Sequence, residues 1–285
     1  MNLPFLTDQA IHTFIDRALA EDIGEGDHSA LGAVPEHTES KARLLVKDDG
    51  LLAGVAMAQR IFQRFDSRLS VEVFMHDGQP VKKGDVAFVV SGPARSILST
   101  ERLVLNCMQR MSGIATYTRK LVQLIEGTGA QLMDTRKTTP NFRLPEKWAV
   151  AIGGGRNHRF ALYDMVMLKD NHNDMAGGIT AAVERTRVYL NRINKPLKME
   201  VETRNLQEVK EALALHVDVI MLDNMSLEDM KKAVAIIGGS CRTEASGGIT
   251  EQTLRAVAEC GVDYISVGAL THSVKSLDLS LKVIR

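Results

Sequence analysis

The feature that most constrains the fold is a regular alternation of strand-like and helix-like segments after residue 129. Near-continuous apolar strands separated by helices are typical of a parallel sheet that is covered by helices. Helix-like segments such as 206–215 and 251–260 lie between the strands. The strand-like segments are 130–135, 165–170, 198–203, 219–224, 242–247 and 264–269.

Charged residues, a serine or a glycine stand where each of these strands ends. In α/β barrels the loops that follow the strands build the active site at the carboxyl ends. The pattern therefore predicts an α/β barrel with a functional site on that face. A doubly wound sheet is the alternative, but it would gather its site at one switch point. The strand-end residues are Asp134, Lys169, Glu202, Asp223, Ser246 and Gly268.

The chain before residue 110 reads differently. Residues 8–20 are typical of an amphipathic helix, and residues 41–94 read as short strands and turns with one helix. Helical segments follow over 96–125, and Ser112-Gly113 predicts a break between them. We therefore predict an N-terminal domain over 1–110 and a barrel domain over 111–271, with the C-terminal segment 272–285 packing back on the first domain.

Composition excludes several classes of function. The 285 residues carry 35 Lys+Arg and 35 Asp+Glu, so the basic surplus of a nucleic-acid-binding protein is lacking. The N-terminus lacks the apolar core of a signal peptide, and no apolar stretch is long enough to span a bilayer. Three cysteines without C-x-x-C spacing indicate reduced thiols in a cytoplasmic protein and give no support for a zinc site.

Because the net charge is zero, a run of cations among glycines between residues 134 and 172 is a local feature. Crowded like charges repel and lose solvation, so the run predicts an anionic ligand. Arginine pairs with carboxylates bidentately, and lysine suits phosphate oxygens as a point charge. We assign Arg136, His158 and Arg159 to carboxylates and Lys137 and Lys169 to phosphates, whereas Arg156 could equally face solvent.

The remaining strand ends suit other parts of such a ligand. Glu202 and Asp223 suit sugar hydroxyls, a hydrated Mg²⁺ ion or a developing positive charge, although they could instead cap helices. Glu200 shares a strand face with Glu202 and could be confused with it. The glycine loops at 246–248 and 267–269 offer backbone N–H groups to a phosphate, with helices expected after both, although tight turns alone would explain them.

Two other classes stay open on the residues alone. Lys169 among cations could form a Schiff base, as in a barrel lyase. A non-catalytic binder of phosphorylated metabolites is also compatible, although acids placed opposite cations favour chemistry.

The motifs together resemble one family. DTRKTTP (134–140), GGGRNHR (153–159), LKDNH (168–172), QRMSGIAT (109–116), EVET (200–203), EASGGI (244–249) and EDIGEGDHS (21–29) occur in its order. The chain is similar to the quinolinate phosphoribosyltransferases, also called nicotinate-nucleotide pyrophosphorylases (carboxylating). Asn141 and Ser29 depart from the usual glycine and threonine, and neither change removes a charge.

The resemblance implies an incomplete, seven-stranded α/β barrel with an N-terminal α/β sandwich domain. It implies a homodimer or higher homo-oligomer with a shared active site, and a pentosyltransferase reaction of de novo NAD biosynthesis in the cytoplasm. In that reaction, quinolinate and phosphoribosyl pyrophosphate give nicotinate mononucleotide, pyrophosphate and CO₂. The rival of the same fold is a molybdenum-transport-associated paralogue.

The resemblance also implies roles for individual residues. Catalysis would fall to Lys137, Lys169, Glu202 and Asp223, and Mg²⁺ would be bound through Glu202, Asp223 and substrate. The quinolinate set is Arg102 from a neighbouring subunit, Thr135, Arg136, Lys137, His158, Arg159 and Lys169. The phosphoribosyl pyrophosphate set is Glu202, Asp223, Ser246, Gly247, Gly248, Val267, Gly268 and Ala269.

Overall fold

The computed structural model describes residues 3–284. Within them, helices and strands follow one another largely as the sequence predicts. The helices are α1 (Asp8–Ile23), α2 (His28–Ala33), α3 (Val55–Phe65), α4 (Ala94–Leu124), α5 (Arg143–Ile152), α6 (Asp170–Ala176), α7 (Ile179–Arg192), α8 (Leu206–Ala214), α9 (Leu227–Ile237), α10 (Glu251–Ala258) and α11 (Ala269–His272). The strands are β1 (Glu39–Val46), β2 (Gly50–Leu51), β3 (Ser70–Val73), β4 (Pro80–Val81), β5 (Val86–Pro93), β6 (Gln131–Met133), β7 (Val166–Leu168), β8 (Met199–Thr203), β9 (Val219–Asp223), β10 (Arg242–Ser246), β11 (Tyr264–Ser266) and β12 (Leu279–Val283).

Contacts divide the chain into two compact units. The first unit comprises the chain up to Arg119, Lys137–Gly154 and the chain from Ala269 onward. The second unit comprises Lys120–Arg136 and Gly155–Gly268. The predicted domain boundary near residue 110 falls inside α4 and stays a prediction.

The first unit contains an antiparallel sheet with the order β12–β1–β5–β3. Ala42, Leu44 and Val46 of β1 are buried and alternate with more exposed residues, as a sheet with one covered face requires. Strand β12 pairs with β1 in the register Leu44↔Leu281. The C-terminal segment thus completes the sheet that begins near the N-terminus.

Helix α4 runs without interruption, so the predicted break at Ser112-Gly113 is wrong. The Ser112 hydroxyl donates to Ala53 O at 3.0 Å and accepts from Ala53 N at 2.9 Å, so it serves packing rather than a turn. A Cβ on Gly113 would collide with the Lys275 carbonyl, so this glycine allows close approach of another segment. No helix within residues 3–284 combines the length and apolar character needed to cross a membrane.

The second unit contains a parallel sheet with the order β6–β11–β10–β9–β8–β7. All five residues of β8 are buried, as expected for a parallel sheet covered on both faces. The helices between the strands begin at side-chain caps, for example Asn205 before α8 and Ser226 before α9. The predicted α/β class is therefore confirmed.

The strand order also decides between the two predicted architectures. Each strand from β7 to β11 lies beside the next in sequence, and β6 follows β11. A doubly wound sheet would reverse its order at a switch point, so that alternative is not favoured. An isolated parallel bridge joins Arg156 to Met133 of β6. The described residues thus provide six strands and a one-residue seventh position beside β6, as in an incomplete barrel.

Candidate active site

The residues predicted to end the six parallel strands lie along one edge of the sheet. Parallel pairing aligns Ser246 with Asp223, and Thr203 with Leu222, so the carboxyl ends of neighbouring strands coincide. In sheet order the residues at or just beyond these ends are Asp134, Gly268, Ser246, Asp223, Glu202 and Lys169.

Two carboxylates occupy the middle of this edge. Glu202 has a side-chain exposure of only 9% and accepts a hydrogen bond from Asp170 N at 3.2 Å. Burial raises the pKa of Glu202; the Asp170 amide opposes the rise, and the negative charge of Asp223 adds to it. Asp223 accepts from Asn224 Nδ2 at 2.6 Å. Adjacent carboxylates of this kind suit Mg²⁺, which takes oxygen ligands and completes its shell with water and substrate phosphates.

A glycine turn lies next to this acidic pair. Gly247 and Gly248 have φ values of 92° and 58°, a region that glycine adopts readily. A Cβ on Gly247 would collide with the Asn224 side chain, so the turn depends on the missing side chain. Helix α10 begins at Glu251 beyond this turn, and α11 begins directly after Gly268. The helices expected after both glycine loops are therefore confirmed.

Arg136 and Arg159 of the second unit lie within range of each other's charge. Burial, and then the positive charge of Arg136, lowers the pKa of the Arg159 guanidinium. The Nε atom of Arg136 is buried and has no hydrogen-bond partner among residues 3–284. A buried donor without a partner costs about 1–3 kcal/mol. An anion that accepts from this guanidinium would remove the cost.

Asp134 shapes the loop that carries Arg159. The Asp134 side chain is fully buried, and its Oδ1 accepts from His158 N at 2.9 Å. Its Oδ2 accepts from Asn157 Nδ2 at 2.6 Å. The backbone of Arg156 pairs with β6 through Leu132 O at 2.8 Å. The sequence marked Asp134 as a strand end, and the structure shows that it holds the arginine loop against that strand.

The His158 side chain is buried, and it lies beside the carboxylates of Glu200 and Glu244. Its Nε2 lies 2.8 Å from Glu200 Oε2 and 3.4 Å from Glu244 Oε2. Burial disfavours the imidazolium ion, but hydrogen bonds to both carboxylates and their charges outweigh burial and raise the pKa of His158 to about 10. Arg159 N also approaches Nδ1 at 2.6 Å, which favours a neutral ring, but one amide dipole is weaker than two buried carboxylates.

Burial, with the charge of Glu244, raises the pKa of Glu200 to about 7 against the opposing effect of His158. Within residues 3–284, His158, Glu200 and Glu244 form the cluster whose geometry could also bind a metal ion. The 2.8 Å hydrogen bond accounts for their proximity without one. The predicted contact of His158 with a substrate carboxylate stays a prediction.

Sequence reasoning missed Glu244. It lies two residues before Ser246 on β10, just as Glu200 lies two residues before Glu202 on β8. Because side chains on a strand alternate with a period of two, this spacing places Glu244 on the face of Ser246. That signal was present in the EASGG stretch, but nothing in the sequence indicated that Glu200 and Glu244 would share one histidine.

The other predicted residues belong to different surroundings. Lys137 and Ala269 lie in the first unit, and Arg102 is exposed on α4 in that unit. Thr135 is half-buried and directly follows Asp134. A Cβ on Gly153, the first residue of GGGRNHR, would meet Thr118 and Ala115 of α4, so this glycine serves helix packing.

Lys169 stands one residue beyond β7, with a side chain that is 50% exposed and an Nζ 4.0 Å from Glu202 Oε2. A Schiff-base lysine is activated in a desolvated pocket or beside other cations. An exposed ammonium next to a carboxylate does not match either condition, so the lyase alternative is not favoured.

Comparisons with known proteins agree on one family. The family model described as "Quinolinate phosphoribosyl transferase, C-terminal domain" matches residues 114–282, and the N-terminal domain model matches residues 24–112. The nicotinate-nucleotide pyrophosphorylase [carboxylating] of Arabidopsis thaliana is 48% identical over 94% of this chain and 81% of its own length. The rice relative of the same name is 47% identical over 94% of this chain and 76% of its own length.

A solved structure gives the same result. NadC from Streptococcus pyogenes superposes with a TM-score of 0.90 at 40% identity, over 98% of this chain and 99% of that one. The fold defines an α/β barrel-type protein, and the edge of charged and glycine residues is its candidate site for anions. The chain belongs to the quinolinate phosphoribosyltransferase family, and the predicted fold with an N-terminal domain is confirmed.

Proposed function

We propose that this protein transfers the phosphoribosyl group of phosphoribosyl pyrophosphate to quinolinate and releases CO₂. The products are nicotinate mononucleotide, pyrophosphate and CO₂, as in de novo NAD biosynthesis. The observation that carries the proposal is the unpartnered Nε of Arg136 beside Arg159, in the unit whose sheet edge holds Glu202 and Asp223. Family membership identifies the anion, which the geometry alone leaves open.

Quinolinate is a dianion, and two arginines whose charges interact match two carboxylates. Arg136 and Arg159 bind them with charge-assisted hydrogen bonds, which are about twice as strong as neutral ones. Lys169 adds a cation just beyond the carboxyl end of β7. The remaining members of the proposed set are Thr135, Lys137, His158 and, from a neighbouring subunit, Arg102.

In this proposal, phosphoribosyl pyrophosphate binds to the two acids and to the glycine turns. Glu202 and Asp223 face the ribose and bind Mg²⁺, for which two carboxylates with open positions for phosphate oxygens are suitable. When bound, Mg²⁺ neutralises the charge that grows on pyrophosphate. Lys137 lies near the phosphates. Backbone amides of Ser246, Gly247, Gly248, Val267, Gly268 and Ala269 hold the 5′-phosphate.

The reaction divides into substitution and decarboxylation. The quinolinate ring nitrogen forms a bond to the anomeric carbon, and the bond to pyrophosphate breaks with its electron pair. The sugar passes through an oxocarbenium-like state that Glu202 and Asp223 stabilise by their charge. The ring nitrogen is then quaternary, and its positive charge stabilises the electron pair that stays on the adjacent ring carbon as the carboxylate of that carbon leaves as CO₂. A proton then binds to this carbon. Holding two mutually repelling polyanions together supplies much of the rate.

We further propose a homodimer or higher homo-oligomer that acts in the cytoplasm. Arg102 is exposed on α4, which leaves its guanidinium accessible to a neighbouring subunit. The three cysteines are free, which suits a reducing compartment.

Incubation with quinolinate, phosphoribosyl pyrophosphate and Mg²⁺ tests the proposal. We expect CO₂ and nicotinate mononucleotide in equal amounts, and no product when Mg²⁺ is chelated. Failure with quinolinate, but turnover of phosphoribosyl pyrophosphate with another acceptor, would favour a paralogue of the same fold.

A further inference from the structure

The QRMSG stretch of α4 contacts the chain that follows α11. Gln109 Nε2 donates to Leu279 O at 2.8 Å, and Arg110 Nη1 donates to Val274 O at 2.9 Å. Gly113 leaves room for the Lys275 carbonyl. Within the first unit, this stretch therefore fixes the backbone over 271–279.

Arg110 also meets a fully buried carboxylate. Glu146 Oε1 accepts from Arg110 Nε at 3.1 Å and from Nη2 at 2.9 Å. The same carboxylate accepts from Thr139 N at 3.0 Å through Oε2 and from Thr139 Oγ1 at 2.9 Å through Oε1. Four donors therefore converge on Glu146, and two of them belong to the TTP loop.

A direct hydrogen bond also joins α11 to the DTRKTTP stretch. Thr271 is fully buried in α11, its Oγ1 donates to Lys137 O at 2.8 Å, and its own carbonyl accepts from Arg110 Nη2. Arg143 Nε donates to Thr138 Oγ1 at 2.9 Å. Three consecutive residues of the DTRKTTP stretch, Lys137, Thr138 and Thr139, are therefore held, and α11 is held at the same time.

Stability alone is a weak reason for such a network. A buried ion pair contributes little net stability compared with apolar packing, because both charges lose their hydration. A network in which every acceptor has its donor instead fixes geometry. The two segments that this network fixes carry Lys137 and Ala269, the first-unit residues that the proposed function assigns to phosphoribosyl pyrophosphate.

We propose that Arg110, Glu146 and Thr271 are positioning residues, which set the spacing between the Lys137 loop and the start of α11 for binding phosphoribosyl pyrophosphate. None of the three contacts the reacting atoms in this arrangement; they act through Lys137 and Ala269. The proposal rests on the proposed function, and part of its test is independent of turnover.

Thr271→Val removes the hydroxyl that donates to Lys137 O and keeps the shape of the side chain. We expect KM for phosphoribosyl pyrophosphate to rise about tenfold, since small misplacements at a site cost one to two orders of magnitude. KM for quinolinate should rise less than KM for phosphoribosyl pyrophosphate, because Lys137 is one of several proposed quinolinate contacts, and Thr271→Ser should restore the wild-type values. Thr100→Val is the matched control, because Thr100 is also fully buried but donates within α4 to Ser96 O at 2.7 Å.

Glu146→Gln tests the other half of the network, with Asp263→Asn as its control. Asp263 likewise accepts from one arginine and from the amide and hydroxyl of one threonine (Arg242 Nη1, Thr243 N and Thr243 Oγ1), but it precedes β11 at the opposite end of the parallel strands. We expect Glu146→Gln alone to raise KM for phosphoribosyl pyrophosphate. Thermal unfolding of all variants separates this effect from lost stability.

Hydrogen exchange of amides over 137–139 and 269–272 provides the readout that needs no substrate. We expect faster exchange there in Thr271→Val and Glu146→Gln than in the two controls. Unchanged exchange, or faster exchange with KM for phosphoribosyl pyrophosphate within twofold of the controls, would overturn the proposal. If wild-type protein does not convert quinolinate, the proposed function fails, and exchange together with calorimetric binding of phosphoribosyl pyrophosphate still decides whether these residues position its site.

Discussion

Two pairs of carboxylates in the parallel sheet differ in depth more than in chemistry. Glu202 and Asp223 lie at the carboxyl ends of β8 and β9, whereas Glu200 and Glu244 lie deeper on β8 and β10. The Glu200 side chain is fully buried, whereas the Glu202 side chain is 9% exposed to solvent. A step of two residues along β8 therefore separates an interior acid from one that a ligand can reach.

Because the two pairs lie at different depths, their carboxylates have different hydrogen-bonding partners. The inner pair shares His158, and the charges remain inside the protein, with the pKa of Glu200 raised to about 7. The edge pair is contacted by a backbone amide, by Asn224 and by the Lys169 ammonium, and we propose that its remaining oxygen positions bind Mg²⁺ and ribose. We infer that the inner pair, Glu200 and Glu244, maintains the sheet interior, and that the edge pair, Glu202 and Asp223, acts on substrate.

The largest expected effect comes from the edge. Glu202→Gln keeps the shape but removes the charge that stabilises the oxocarbenium-like state, so kcat should fall about 10²- to 10³-fold. KM should change much less, and the melting temperature should hold or rise because burial disfavours the ionised form. Steady-state kinetics and calorimetry measure both. A pure KM effect would mean that Glu202 only binds substrate.

The next effect concerns the cations. Arg159→Ala removes charge-assisted hydrogen bonds that contribute about 1.5–3 kcal/mol each, so KM for quinolinate should rise about 10- to 100-fold. Arg156→Ala is the control, because Arg156 is an exposed arginine of the same loop. Equal KM values for the two variants would remove Arg159 from the quinolinate site.

A smaller effect is expected at the glycine turn. Gly247→Ala should destabilise the fold by about 1–3 kcal/mol, because the backbone conformation is unfavourable for alanine and the new methyl displaces Asn224. KM for phosphoribosyl pyrophosphate should rise severalfold. Gly127→Ala has a similar positive φ with open space around it, so it reports the strain alone. If both variants keep the wild-type KM, the turn does not bind the 5′-phosphate.

The smallest expected effect is on the pH dependence of stability, which tests the inner pair, Glu200 and Glu244. The folded protein holds extra protons on Glu200 between pH 4.5 and about 7, and on His158 between pH 6.5 and about 10. Stability from these groups is therefore greatest at low pH and is lost as pH rises through both ranges. Glu244→Gln should flatten this decline in melting temperature.

Glu228→Gln, at an exposed carboxylate of α9, is the control for this pH series. Identical slopes of melting temperature against pH in the wild type and Glu244→Gln would contradict the distinction between the inner pair and the edge pair.

The strand ends show how much of the site the sequence can predict. Alternation of apolar segments placed Asp223 and Ser246 at the ends of parallel strands, and the pairing of β9 with β10 brings them side by side. The spacing of Gly247 and Gly248 predicted a turn before a helix, which α10 confirms. These features are local, so strand periodicity and turn chemistry were sufficient to find them.

The direction of His158 could not be predicted in the same way. Its neighbours in sequence are arginines, which suggested a place among the cations, but its side chain meets Glu200 and Glu244 from two other strands. Likewise, Gly113 looked like a helix break and instead admits the Lys275 carbonyl. In each case the partner lies far along the chain, and a local pattern contains no information about it.

By itself, the sequence determined the α/β class, the succession of strands and helices along the chain and the chemical types available at the strand ends, because burial and backbone propensity act over a few residues. Only the tertiary structure decided which carboxylates face inward, which arginine nitrogen lacks a partner and which segments Arg110 and Glu146 tie together. Those outcomes depend on distances between residues that are remote in sequence, and folding alone sets those distances.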